Sequence, residues 1–406
     1  MPGRRPLKQT KGPLEGVRVM DLSRATAGPV GSMLLADLGA EVIKIETPAG
    51  VPGLSSRDKA DPRHTFFGED IGFLSYNRNK KSMVLNLRTP QGKEVFYDLA
   101  RKSDVVYENF RPGVSQRLGI DYDTLQKINP RIICCSLSSF GQSGPYRDKP
   151  SFDLVIQAMA GTLDICGRRE KGRALWSGLA LGDNLGGIFA SYGVVAALFS
   201  REVTGKGQQI DLAMLDAQVS FLTYLVTYQA NLGWFRDRLD IQLWGGLRTK
   251  DGIIVLDAHR QGFWENLCRA LQHPEWLTDP RFDSSEKRKY DKREPILDMI
   301  EQVLLTKTTD EWYKILTEGD VPCCRLNTVA EVVKDPQVLH RNMIVTVKHP
   351  SGGELKLPGN PIKMSGTVKE RWECAPGLGQ HTEEILTQVL GYPEEKIARL
   401  KEQKVV

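Results

Sequence analysis

Val17-Arg18-Val19-Met20-Asp21-Leu22-Ser23-Arg24-Ala25-Thr26-Ala27-Gly28-Pro29-Val30-Gly31-Ser32-Met33-Leu34-Leu35-Ala36-Asp37-Leu38-Gly39-Ala40-Glu41-Val42-Ile43-Lys44-Ile45-Glu46 decides the fold. The β-branched run 17–21 predicts a strand. Residues 29–38 predict a helix with Pro29 in its first turn, where a missing N–H costs nothing, and 41–46 predict the next strand. This is a βαβ unit. The pattern resumes with a strand at 82–87, a helix at 90–102, a strand at 104–108, helical pieces over 113–128 and a strand at 131–138. Such alternation implies a parallel sheet flanked by helices, an α/β fold of Rossmann-like type.

Sheets of this kind bind ligands beyond the carboxyl ends of their strands. Two strand ends carry polar, turn-forming sequence, Leu22 to Pro29 and Glu108-Asn109-Phe110-Arg111-Pro112-Gly113. Neither is a GxGxxG fingerprint or a GxxxxGK[ST] loop, so the common pyrophosphate cradles are absent.

The chain has 406 residues, more than one ordinary core supports, which predicts two domains. We expect a tail at 1–12, a large α/β domain at 13–205, a linker at 206–246, a smaller α+β domain at 247–334, and a return to the large domain at 335–406. The small domain should hold a strand at 252–257, helices around 263–271, 294–305 and 310–318, and a strand at 321–326. A β-like stretch at 343–357, turning at Ser351-Gly352-Gly353, and a terminal helix pair close the chain.

Apolar residues make up 40% and charged residues 26%, the balance of a globular enzyme. The net charge of +5, from 55 basic against 50 acidic residues, gives no support to nucleic acid as a partner. No run of about 18 apolar residues predicts a membrane span. The basic N-terminus lacks the apolar stretch of a signal peptide. Seven cysteines without CxxC spacing read as buried reduced thiols, which predicts a cytoplasmic protein, and the six scattered histidines predict no metal site.

Leu181-Gly182-Asp183-Asn184-Leu185-Gly186-Gly187 sets a carboxylate among bare glycines before an apolar helical run. Asp183 is either a helix N-cap or a nucleophile that a substrate can approach closely because the glycines carry no side chains.

Taken together, Pro13 to Leu22, Ala27-Gly28-Pro29, Leu35 to Glu46, Asn77-Arg78-Asn79-Lys80-Lys81-Ser82, Glu108 to Gly113, Thr204-Gly205-Lys206-Gly207-Gln208 and Leu378-Gly379-Gln380-His381-Thr382 resemble the class III CoA-transferases, the group of formyl-CoA transferase and carnitine CoA-transferase. The resemblance runs from about residue 13 to the end. It implies that Asp183 is the nucleophile and that coenzyme A, as acyl-CoA substrate and with no separate cofactor, contacts Ala25, Thr26, Leu85, Arg88, Asn109, Phe110, Arg117, Leu118 and Met214. Arg88 and Arg117 would meet its phosphates and Phe110 would pack on its adenine or pantetheine. Thr47 stands where formyl-CoA transferase has an arginine. A glycine-rich loop covers the aspartate in the family, and Gly245-Gly246 is the nearest counterpart.

The resemblance also implies a carboxylic acid as second substrate and an interlocked dimer, with an identical chain or a paralogue. The α-methylacyl-CoA racemases share the fold and the aspartate but pair it with a histidine. Here that position is Phe152, ahead of Asp153, so one of two bases for proton transfer is lacking and a transferase is favoured. A racemase or a non-catalytic CoA-binding subunit are the alternatives. Arg24, Arg147, Lys149, Arg168, Arg169 and Arg173 flank the expected site and could grip a second carboxylate, which points towards a dicarboxyl donor such as succinyl-CoA.

Overall fold

The computed structural model describes residues 12–48, 62–233, 245–289, 293–366 and 372–406; the expected tail falls almost wholly outside them. Strand β1 (Arg18–Asp21), helix α1 (Ala27–Asp37) and strand β2 (Glu41–Glu46) form the opening βαβ unit. A small hairpin of β3 (Thr65–Phe66) and β4 (Glu69–Asp70) and helix α2 (Ile71–Tyr76) follow. Then come β5 (Lys80–Val84), α3 (Pro90–Arg101), β6 (Val105–Glu108), α4 (Val114–Leu118), α5 (Tyr122–Ile128) and β7 (Ile133–Ser138). Helices α6 (Asp153–Ala160) and α7 (Thr162–Cys166), hairpin strands β8 (Arg168–Glu170) and β9 (Arg173–Leu175), the long α8 (Leu181–Thr204), β10 (Gln209–Ala213), α9 (Met214–Phe221) and α10 (Thr223–Leu232) complete the run.

Six of these strands form one parallel sheet in the order β10-β7-β6-β1-β2-β5. All but the edge strand β10 are largely buried on both faces, and their side chains alternate between two cores as a pleat requires. Met20, Ile43, Met83, Val106 and Cys134 pack with Phe96, Leu99, Ile397 and Leu400. Val19, Val42, Val105, Ile133 and Cys135 pack with Leu35, Ala190 and Val194 on the other side.

The edge strand β5 is sealed by the chain's return. Ser82 N–H donates to His381 Nδ1 at 3.2 Å, its carbonyl accepts from His381 N–H at 2.9 Å, and Val84 N–H donates to Thr382 Oγ1 at 3.0 Å. The motif 378–382 thus satisfies backbone groups that an open edge would leave unpaired. Strands β14 (Ile344–Lys348) and β15 (Glu354–Pro358) form the expected hairpin.

By its contacts the chain separates into two units, residues up to 223 with 342–406, and 224–341. The second unit thus takes in the stretch from 224 that reads as linker. Its antiparallel sheet of β11 (Gly246–Arg248), β12 (Ile253–Leu256) and β13 (Cys323–Arg325) covers a core rich in aromatic residues, with Trp264, Trp276, Phe282 and Trp312 buried. Gly246 is paired with Val255 inside that sheet.

The expectation of buried cysteines fails at four of seven positions, Cys323 and Cys374 being half-buried. Cys166 and Cys324 are exposed, Cys324 because the three residues of β13 cannot bury both members of an adjacent pair, while Cys134, Cys135 and Cys268 are buried. Helix α8, with a mean hydropathy of 1.2, is long and apolar enough to cross a membrane by composition alone, and 44% of that window is buried in the protein. Its remaining face shows Ile188, Tyr192, Val195, Phe199 and Val203 to solvent, a stripe at helical spacing.

Candidate active site

Because the sheet is parallel, β1, β6, β7 and β10 end at the same edge, and their loops come together there. Asp183 arrives at this edge on α8. The helix begins at Leu181 with Ala180 as its N-cap, so Asp183 lies in the first turn and does not cap the helix as one reading expected. The cap is supplied from elsewhere. Asp153 Oδ1 accepts from Gly182 N–H at 2.7 Å and from Asp183 N–H at 3.1 Å, and Asp153 Oδ2 is held by Gln157 Nε2 at 2.5 Å. Satisfying those orphan amides stabilises a helix by about 1 kcal/mol.

With the cap provided by Asp153, the Asp183 carboxylate makes no hydrogen bond or ion pair among the described residues. Its pKa is pushed up to about 6, first by burial and then by the Asp153 charge. Both effects disfavour the anion, so the carboxylate is a stronger base and nucleophile than an exposed one. The same negative field, together with burial, raises the Tyr76 hydroxyl above its ordinary value.

The glycines beside Asp183 do something other than clear a path for substrate. A Cβ on Gly187 would stand 2.7 Å from the Ala27 carbonyl oxygen and 2.9 Å from Gly31 N, and one on Gly186 would stand 3.1 Å from Met214 Cγ. They let α8 lie directly on α1 and on the start of α9. Three and four residues on from Asp183, they share its face of the helix. Asp183 thus shares the helix face that packs on α1 and on the start of α9.

The other expected contacts distribute unevenly. Ala25 is exposed and Thr26 half-buried, whereas Leu85 (2% exposed) and Phe110 (3%) belong to the core beneath the sheet edge. The Phe110 ring is covered by the Arg24 guanidinium, 5.3 Å from its centroid, so packing on a ligand's rings is not the role its position gives it. Asn109 binds the backbone of Arg24. Leu118 packs against the core, Met214 is buried, and Arg88 is exposed at the far end of the sheet beyond β5.

Arg117 has a companion the sequence did not reveal. A Cβ on Gly113 would meet Arg117 Nη1 at 3.2 Å and Arg147 Nη2 at 3.7 Å. The left-handed conformation at Gly113, φ +85, favours glycine, and two guanidinium groups reach its bare face. Arg147 is further held by the Gln142 carbonyl at 3.0 Å and by Asp148 at 3.0 Å, and Arg117 has no ion-pair partner among the described residues. Two cations on one carboxylate leave a place for an anion. Arg147 thus lies at the turn after β6, beside Arg117. Lys149 lies over the Tyr146 ring, Arg173 is exposed, and the side chains of Arg168 and Arg169 fall outside the described residues.

Asp153, Gln157 and Arg147 are the residues that sequence reasoning missed in these roles. The one available signal was negative: α8 begins after Gly178-Leu179-Ala180, which offers no side-chain cap, so an acceptor had to come from another segment. Among the described residues no cluster of three histidine, cysteine, aspartate or glutamate side chains could hold a metal ion.

A parallel α/β sheet with an aspartate free of hydrogen bonds at its carboxyl edge, and two arginines at the turn after β6, offers a nucleophile and positive charge for an anionic group. The chain matches CoA-transferase family III over residues 14–382, and it belongs to that family. It is 34% identical to the succinyl-CoA:glutarate CoA-transferase of Mus musculus, over 96% of this chain and 89% of that protein. It is 34% identical to the succinyl-CoA–D-citramalate CoA-transferase of Chloroflexus aurantiacus, over 97% and 98%. Among solved structures, a CaiB/BaiF family protein from Brucella suis aligns with a TM-score of 0.81 at 30% identity, covering 93% of this chain and 99% of that one. The protein is a class III CoA-transferase enzyme.

Proposed function

We propose that the enzyme moves CoA from an acyl-CoA donor to a carboxylic acid through Asp183. The carboxylate attacks the donor thioester, forming a mixed anhydride and releasing CoA thiolate. The thiolate attacks the aspartyl carbonyl, giving an aspartyl-CoA thioester and the free donor acid. The acceptor carboxylate attacks that thioester, again expelling the thiolate, which takes the acceptor acyl group and regenerates Asp183. No bond is hydrolysed, so the thioester energy is carried from one acid to the other as long as water is excluded.

The observation that carries this reading is the unpaired, half-buried Asp183 carboxylate with its pKa near 6, capped by Asp153 and not capping. At neutral pH it is mostly ionised yet poorly solvated. In this reading Arg117 and Arg147, both reaching Gly113, supply the charge for a CoA phosphate, and the loop of Ala25 and Thr26 and the start of α9 at Met214 receive the acyl end. Of the remaining expected contacts, Asn109 borders the loop after β1 through Arg24, Leu85, Phe110 and Leu118 act through the core, and Arg88 lies beyond β5.

For the donor we favour succinyl-CoA, in keeping with the names of the mouse and Chloroflexus relatives. The exposed apolar stripe on α8 supports association with a second copy or a paralogous chain, since a stripe of this kind marks an interaction face. The seven free cysteines support a reducing, cytoplasmic setting.

Hydroxylamine or borohydride added with succinyl-CoA and no acceptor tests the mechanism. Inactivation should track a single modification that peptide mass mapping places on Asp183. Turnover without label, or label on another side chain, would overturn the covalent route.

A further inference from the structure

Ala25, the exposed residue between β1 and α1, is held at φ +58. For a residue with a Cβ this left-handed conformation is strained, and it persists only where the surroundings impose it. The residues before it are fixed one by one. Leu22 N–H donates to the Tyr107 carbonyl at 2.8 Å. Ser23 donates its N–H (2.8 Å) and its hydroxyl (2.5 Å) to Asp21 Oδ1, and its carbonyl accepts from the buried Lys44 Nζ at 2.8 Å. At Arg24 strands β1 and β6 have diverged, and a side chain replaces the lost ladder. Asn109 Oδ1 accepts from Arg24 N–H at 2.8 Å and Asn109 Nδ2 donates to the Arg24 carbonyl at 2.9 Å.

Beyond the turn, Thr26 forms no side-chain cap to α1, and its carbonyl accepts from Val30 N–H at 3.0 Å. The segment is therefore clamped up to Arg24 and again from Thr26, and the strain is concentrated at Ala25. Asn109 reaches the residue just before the turn. Both ends of its carboxamide are engaged in doing so.

We propose that Asn109 is a positioning residue, which holds Arg24 so that the left-handed turn at Ala25 stands open to receive acyl-CoA. This rests on the reading that Ala25 and Thr26 contact CoA. It predicts that Asn109 acts through the backbone of another segment and that a glycine at position 25, which adopts positive φ without a steric cost, makes the clamp dispensable.

The test compares Asn109→Ala, Ala25→Gly, the double variant and Thr26→Val with the parent enzyme, by steady-state kinetics in succinyl-CoA and by calorimetric titration of CoA. Asn109→Ala should raise the KM for succinyl-CoA on the order of tenfold with kcat changed less than about threefold, as expected when ground-state binding is lost. Ala25→Gly alone, which removes a methyl from a residue read as a CoA contact, is the reference for the double variant, whose KM should lie within about threefold of that reference, so that glycine at 25 suppresses the Asn109→Ala effect. Asn109→Asp, which keeps the acceptor for Arg24 N–H and loses the donor to its carbonyl, carries the same comparison if Asn109→Ala does not fold. A double variant as impaired relative to Ala25→Gly as Asn109→Ala is relative to the parent would show that the carboxamide meets the ligand itself, and an unchanged KM in Asn109→Ala would show that it positions nothing; either overturns the proposal. If Thr26→Val also leaves CoA affinity unchanged, it is the placement of CoA at this loop that fails.

Discussion

Asp21 and Asp183 both stand at the carboxyl edge of the same sheet, and the protein treats them in opposite ways. Asp21 ends β1 wholly buried, yet Lys80 Nζ lies 3.0 Å from its Oδ2, Lys44 is close by, and the hydroxyls of Ser23 and Ser32 donate to it at 2.5 and 2.7 Å. Burial raises its pKa, but the two lysines and two hydroxyls outweigh that, and it is held well below the usual carboxylate range. Lys80 is itself depressed to about 8 by burial, against the pull of Asp21. Asp183 has burial without cations and a second carboxylate for a neighbour, and it rises to about 6. One carboxylate is a permanent anion that organises the loop after β1; the other is kept unsatisfied and available for bond formation.

The largest expected break in this comparison is Asp183→Ala. Transfer activity should fall by on the order of 10⁴-fold, as for other covalent nucleophiles, while calorimetric titration shows CoA binding retained. Substantial residual transfer would mean that another group forms the intermediate.

Asparagine at each position gives the second contrast. Asp21→Asn leaves Lys44 and Lys80 buried with one fewer counter-charge and should cost about 3–5 kcal/mol in urea unfolding. Asp183→Asn should do the reverse, modestly. A raised folded-state pKa means that folding loses stability as pH rises through about 6, because the unfolded chain ionises more readily. The variant should therefore unfold later than the parent at pH 8 and no later at pH 4, with unfolding curves at both pH values as the check. A destabilised Asp183→Asn at pH 8 would mean that the carboxylate has a structural partner.

The smallest effect concerns Asp153. Asp183 must be ionised to attack, so kcat/KM should climb with pH through about 6 and then level off. Asp153→Asn keeps an acceptor for the α8 amides and removes the repelling charge. The midpoint should fall by roughly half a unit to one unit, burial being the larger cause of the shift. A midpoint that stays or rises would assign the titration to another group.

Much of the frame was legible in sequence. Strand β2 occurs at the expected Glu41–Glu46, and the opening helix and strand lie within two residues of their expected bounds, because β-branched runs and a proline-started apolar run are local signals. The parallel sheet follows from their alternation. The small-unit helices at Arg293–Leu304 and Thr309–Glu318 were likewise foreseen, and the structure adds a capping box of Thr308 and Glu311 at the start of the second. The candidate nucleophile was legible only as one of two options, since Asp183 before a helix reads equally as a cap.

What the sequence by itself determined is the set of parts: an α/β chain of two units, a carboxylate ahead of a long apolar helix, and a polar turn after each of two strands. Tertiary structure alone decided what those parts are for. Asp153, thirty residues upstream, took over the cap and freed Asp183. Packing on Ala27 and Met214 used the glycines that had read as an opening for substrate. Arg147 came to lie beside Arg117 over the bare face of Gly113. The physical reason is common to all three. Periodicity and propensity are properties of neighbouring residues, whereas a carboxylate's charge, a cap's donor and a glycine's bare face are settled by groups far along the chain that packing brings within a few ångströms.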